Sequence, residues 1–141
     1  MEKQHQESDT FEDGLYLIDF GFATECERDN GVLYVQTPFC GTVRYASPQV
    51  LQQLQSGEQD VRYTELDEWH SVIRVLYGLS NTKMHQHLTE LPSTEYDEVQ
   101  KCWDAALLGP WKCDTLNTPY SLYQKARELA EFVFLDFEYR M

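Results

Sequence analysis

The chain is poor in basic residues. Its 11 Lys and Arg stand against 24 Asp and Glu, which leaves a formal charge of −13 and a sequence pI near 4.5. A surface of that sign repels nucleic-acid phosphates and anionic lipid headgroups, so neither nucleic acid nor membrane is expected as a partner. A long apolar run of the kind that crosses a membrane is missing as well. Met1 to Glu12 is polar and lacks the apolar stretch of a secretory leader. The four cysteines, Cys26, Cys40, Cys102 and Cys113, never form a C-x-x-C pair, and no His stands at zinc-ligand spacing from two of them. These absences point to a reduced intracellular protein, cytoplasmic or nuclear, with free thiols. Internal repeats and low-complexity tracts are lacking too.

What is present is a folding composition. Hydrophobic residues make up 42 % of the chain, with 3 Trp, 9 Tyr and 7 Phe, which excludes a disordered acidic tail. A chain of 141 residues can bury one core, so a single domain is expected. Residues 1–13 read as a flexible N-terminal arm, and Leu15 to Ile18 as a short strand. Phe22 to Arg44 carries Gly, Asn and Pro with little periodicity and reads as a long loop.

Helical signals dominate from there. Ser47 is an N-cap candidate, Pro48 suits the first helical position, and Val50, Leu51 and Leu54 share a face. After a polar break at Ser56 to Asp60, a strong helical pattern begins near Thr64, with Thr64 or Asp67 as its cap. Trp69, Val72, Ile73, Val75, Leu76 and Leu79 leave little polar circumference beyond Glu68 and Arg74. This helix is expected to be the most buried, with Trp69 in its core and the helices after Pro48 and at the chain's end packed on it. Thr82 to Thr94 reads as a connector with a weak helical stretch at Met84 to Leu88. Ser93 or Thr94 opens a helix striped by Val99, Cys102, Trp103 and Ala106, and Gly109-Pro110 stops it. Ser121 to Glu138 forms the last helix, with Leu122, Ala126, Leu129, Ala130, Val133, Phe134 and Phe137 inward. The fold class is mainly α. His85 and His87 stand at i and i+2 and do not share a helix face, so no metal site is expected there.

Two blocks carry chemistry. Leu15-Tyr-Leu-Ile-Asp-Phe-Gly-Phe-Ala-Thr24 delivers Asp19, Phe20 and Gly21 onto a turn after an apolar run. About twenty residues later stands Gly41-Thr-Val-Arg-Tyr-Ala-Ser-Pro-Gln49. In this order and spacing they resemble the Asp-Phe-Gly triplet and the Gly-Thr-x-x-Tyr-x-Ala-Pro-Glu block that bound a protein-kinase activation segment. The wording of the second block is most similar to the casein kinase I and tau-tubulin kinase group. Leu66 to Leu76, with Asp67-Glu-Trp-His-Ser71, resembles the start of the buried central helix of the kinase C-lobe.

The resemblance implies a partial kinase-like C-lobe over residues 14–141, with an activation segment at 19–49 and a helical part at 50–141. It assigns Asp19 to magnesium, and Asp19, Phe20 and Gly21 to the nucleotide side, with Mg and ATP as the family cofactors. It places Thr37, Thr42, Tyr45, Ser47, Pro48 and Gln49 on the activation segment. Of these, Thr37, Thr42 and Tyr45 could take a phosphoryl group, with Arg28 and Arg44 as local cations. Gln49 departs from the family Glu and cannot form its ion pair with a late-lobe Arg. Either Asp67 or Glu68 takes the place of the central-helix Asp.

No block of these 141 residues resembles a glycine-rich loop, an ATP-binding lysine strand or a catalytic loop. The chain as given is therefore expected to be catalytically incompetent and to need no cofactor of its own. It would act as a pseudokinase-type module by protein binding, with a kinase, a kinase substrate or a regulator as partner. The apolar strand at Leu15 to Ile18 has no partner strand in this reading, which is a physical reason to expect a second protein. The alternative is a fragment of an active Ser/Thr kinase, and a third reading is a decayed copy.

Overall fold

The computed structural model describes residues 27–39 and 41–140, with side chains as far as Phe134. The described chain is mainly helical with a small three-stranded sheet. Strands β1 (Glu27–Asp29) and β2 (Val32–Pro38) form a hairpin, and β3 (Asp60–Thr64) adds antiparallel to β2, in the order β1-β2-β3. Five helices follow the chain: α1 (Pro48–Gln55), α2 (Glu65–Ser80), α3 (Thr82–Glu90), α4 (Tyr96–Ala106) and α5 (Pro119–Arg140). Short 3-10 turns lie at Val43–Tyr45 and Gly109–Trp111.

The hairpin corrects the expectation of a long loop from Phe22 to Arg44. Asn30 and Gly31 both take positive φ, 52° and 80°, the backbone that a two-residue hairpin turn requires. The Asn-Gly pair flanked by β-formers is a hairpin signal that the lack of long periodicity concealed. The third strand had no local signal at all. Its register pairs Tyr34 with Thr64, Val35 with Tyr63 and Thr37 with Val61, so the partner lies beyond α1. Arg62 links the strands: its guanidinium sits 4.0 Å over the Tyr34 ring and 3.7 Å from the Asp29 carboxylate.

Helix starts follow capping chemistry. The Ser47 side chain accepts from the Val50 amide at 3.1 Å, with Pro48 in the first helical turn. At α2 both sequence candidates act together. Thr64 accepts from the Asp67 amide, and the Asp67 carboxylate accepts from the Thr64 amide at 2.8 Å, a complete capping box. Asn81 ends α2, and its side chain accepts from Met84 N–H at 3.1 Å to start α3. The expected connector from Thr82 is therefore largely helix, because Asn81 supplies a cap that weak amphipathicity did not reveal. Helix α4 begins at Tyr96, after Glu95 and without a side-chain cap, slightly later than Ser93 or Thr94 would have set it.

Two buried clusters form the core. One joins α2 and α5 through Ile73, Leu76, Leu122, Ala126, Leu129 and Val133, with Trp111 and Cys113. The other gathers Val50, Leu51, Val61, Leu88, Val99 and Trp103 from α1, β3, α3 and α4. Tyr77 packs against both, edge-on to Trp103 at 5.9 Å and to Trp111 at 5.1 Å.

Helix α2 is less enclosed than its apolar sequence suggests. The final helix packs along it as expected, but α1 packs chiefly on α4. Val75 and Leu79 remain 46 % and 42 % exposed. Trp69 is only half-buried, against Tyr123 at 5.2 Å, and the fully buried tryptophan is Trp103. Arg74, expected on the polar side, points inward and is 2 % exposed. Among the described residues no helix is long and apolar enough to cross a membrane.

Candidate functional site

The arm at 1–13, the strand at Leu15 to Ile18, the triplet Asp19-Phe20-Gly21, Cys26, Cys40 and the Phe137 side chain lie outside the described residues. The second block, Gly41 to Gln49, is described throughout. Thr37 sits in β2, half-buried opposite Val61. Thr42 precedes the 3-10 turn, exposed, and its carbonyl accepts from the Tyr45 amide at 3.1 Å. Gln49 is exposed in the first turn of α1.

The rest of the block is held from several sides. Arg44 donates from Nε to the Leu88 carbonyl at 2.7 Å and from Nη2 to the Leu91 carbonyl at 3.1 Å, at the end of α3. The Arg44 carbonyl accepts from Trp103 Nε1 at 2.7 Å. Tyr45 Oη lies 2.5 Å from His85 Nδ1, the two rings are stacked, and Trp103 tilts against the Tyr45 ring at 5.7 Å. Burial pushes the Tyr45 phenol above its ordinary pKa, against the opposing pull of Arg44. Ser47 is 1 % exposed and donates to Asp67 Oδ1 at 2.6 Å. Gly78 explains the close approach of this block to α2. A Cβ there would meet Tyr45 Oη at 3.0 Å.

Of the two carboxylates considered at the start of α2, Asp67 is buried and bonded to the block, while Glu68 is exposed. The arginines considered as phosphoryl partners are engaged elsewhere: Arg44 on the α3 carbonyls, and Arg28 on the Gly31 carbonyl at 3.3 Å. Thr42, Tyr45 and Ser47 do meet at one cavity of about 160 Å³, whose wall is completed by Phe39, Tyr63 and Ser71. Burial and the nearby Glu68 hold the Tyr63 phenol far above its usual range, so it stays a neutral wall.

A second, larger cavity of about 320 Å³ escaped sequence reasoning. It opens between Pro48 at the start of α1, His70 and Arg74 on α2, Gln100 and Trp103 on α4, and Cys113. Arg74 donates from Nη1 to the Ala46 carbonyl, and its guanidinium carbon lies 5.3 Å from the Trp103 ring centre. Burial lowers its pKa to about 10, which still leaves it cationic at neutral pH. Cys113 Sγ lies 4.0 Å from His70 Nδ1. Burial raises the thiol pKa and lowers that of the imidazole, so the pair rests as neutral thiol and neutral ring, not as a thiolate nucleophile. The one available signal for this cavity was an arginine set inside an apolar helix stripe. Among the described residues no group of three His, Cys, Asp or Glu is placed to hold a metal.

No family model, curated protein or solved structure matches the chain.

Proposed function

We infer that the chain is a protein-kinase-like module that works by binding another protein, without phosphoryl transfer of its own. One observation supports this most. The block that resembles the end of an activation segment is fastened to the helix that resembles the kinase central helix, through Ser47 on Asp67 and Arg74 on the Ala46 carbonyl. Asp67 then stands in the place of the family aspartate. The β2–β3 pairing is an addition that the resemblance did not lead one to expect.

The non-catalytic half of the reading rests on the chemistry of phosphoryl transfer. Transfer needs a lysine on the phosphates, a base near the acceptor hydroxyl and two metal-holding side chains. Of these the 141 residues offer one motif residue, Asp19. On this reading a folded surface is the means of action, and a kinase, a kinase substrate or a regulator is the class of partner.

The test uses the purified chain, folded by circular dichroism, with Mg-ATP and a generic protein substrate. The expected result is no Asp19-dependent transfer of labelled phosphate, together with capture of a kinase-pathway protein when the chain is used as bait. Transfer that disappears in Asp19→Ala would establish the enzyme reading instead. A folded bait that captures no such protein would remove the binding reading.

A further inference from the structure

Among the described residues two buried side-chain atoms have no hydrogen-bond partner, Arg74 Nε and Gln100 Oε1. Both residues line the same 320 Å³ cavity. One atom is a charged donor and the other a neutral acceptor, and they come from different helices, α2 and α4. Buried polar groups are seldom left unpaired, and two in one cavity point to something that fills it.

The charges around the cavity narrow the chemistry. On the exposed rim Lys112 faces Asp114 at 4.0 Å, and Asp104 accepts from Gln100 Nε2 at 2.7 Å. His70 is neutral near pH 7. Asp104 is left without a cation on the rim, which therefore carries one net negative charge. Arg74 is 2 % exposed, its Nη1 goes to a neutral carbonyl, and among the described residues no carboxylate lies within ion-pair distance of it, Asp104 acting on it only from farther off. A buried cation with no carboxylate in contact is costly, and an apolar side chain would complete the helix stripe at that position at no such cost. The edge of a guanidinium that carries Nε–H presents a fork suited to a carboxylate. The rim's one net negative charge, on Asp104, disfavours a dianion such as phosphate more than a monoanion. The volume is at the low end for ligand pockets, so the ligand is small.

We propose that this cavity binds a small monocarboxylate that also carries an N–H or O–H donor, such as an N-acylated amino acid or a hydroxy acid. The carboxylate takes the Nε edge of Arg74, and the donor takes Gln100 Oε1. The proposal does not rest on the kinase-like reading.

The experiment follows the Arg74 Nε–H signal by proton–nitrogen NMR in the full chain, assigned by its loss in Arg74→Leu. The probes are N-acetylglycine, acetate, acetamide and inorganic phosphate at matched ionic strength. N-acetylglycine should shift the signal saturably and raise the melting temperature. Acetate, which lacks the N–H, should bind up to about tenfold more weakly, as expected for one hydrogen bond. Acetamide should leave the signal in place. Gln100→Leu should bring N-acetylglycine down to the level of acetate. If Arg74→Leu does not fold, the parent titration and Gln100→Leu still decide the matter. The proposal fails if no carboxylate moves the signal, which would mean that water alone fills the cavity. It fails equally if acetamide acts like N-acetylglycine, if phosphate binds more tightly than the carboxylates, or if Gln100→Leu leaves the preference intact.

Discussion

Single residues separate into those that the apolar pattern places and those that it misplaces. Trp69 and Trp103 both stand on apolar helix stripes, yet only Trp103 has no exposed surface. Its indole also bonds to the Arg44 carbonyl at 2.7 Å, so truncation removes packing and takes a donor from a part-buried acceptor. Trp103→Ala should cost about 3–5 kcal/mol, a large part of a typical domain's 5–15 kcal/mol, and Trp69→Ala distinctly less. Urea denaturation of both variants checks the order, and equal losses would contradict this assignment of the core. His70 sets an acid limit. Burial lowers its folded pKa below the ordinary 6.5, so the unfolded chain binds the proton more readily. The stability that comes from keeping His70 neutral is present in full above pH 6.5 and is lost as pH falls through the folded value. Melting temperature should therefore drop between pH 7.5 and 5, and His70→Gln should flatten that drop. A parallel decline in the variant would place the acid sensitivity elsewhere.

At the scale of elements, local chemistry decides where helices begin, and long-range pairing decides what the strands do. Ser47, the Thr64–Asp67 box and Asn81 each satisfy amides at a helix start, and the first two are legible as residue types before an apolar stripe. Strand β3 has no such marker, because its partner β2 lies beyond a helix. The β1–β2 turn can be tested directly. Gly31 stands at φ 80°, and a Cβ there would meet nothing within 4 Å, so its replacement costs backbone strain alone. Gly31→Ala should destabilise by about 1–2 kcal/mol. Amide exchange should quicken in β1 and β2 and stay unchanged in α5. Uniform quickening would mean that the hairpin unfolds only with the whole domain.

At the scale of the molecule, two cores are bridged by Tyr77 and Leu107, of which Tyr77 is the larger contact. The α2–α5 cluster and the α1–α4 cluster share Tyr77, which lies edge-on to a tryptophan of each. The parent should melt in one cooperative transition, since each cluster is small for an independent domain. Tyr77→Ala should separate the two. Calorimetry would then give a van't Hoff enthalpy below the calorimetric one, and two Trp environments would be lost at different temperatures. A variant that melts earlier but in a single step would mean that backbone continuity through α2 is coupling enough.

The sequence by itself determined the helical class, the caps at Ser47 and Thr64–Asp67, Val99 and Trp103 on the stripe of α4, and Leu122, Ala126, Leu129 and Val133 on that of α5, whereas Phe134, expected inward, is 37 % exposed. These depend on residues within a turn or two of each other, where spacing and side-chain chemistry act directly. Only the tertiary structure decided that α1 leans on α4 and that Val75 and Leu79 stay in solvent. It also decided that Asp67 and not Glu68 reaches Ser47, and that Arg74 turns inward to the Ala46 carbonyl and a cavity shared with Gln100. A periodic pattern says which side of a helix is apolar. Which neighbours cover that side depends on how short helices and strand pairs far apart in the chain divide the available contact surface, and that division leaves no local trace in the residues.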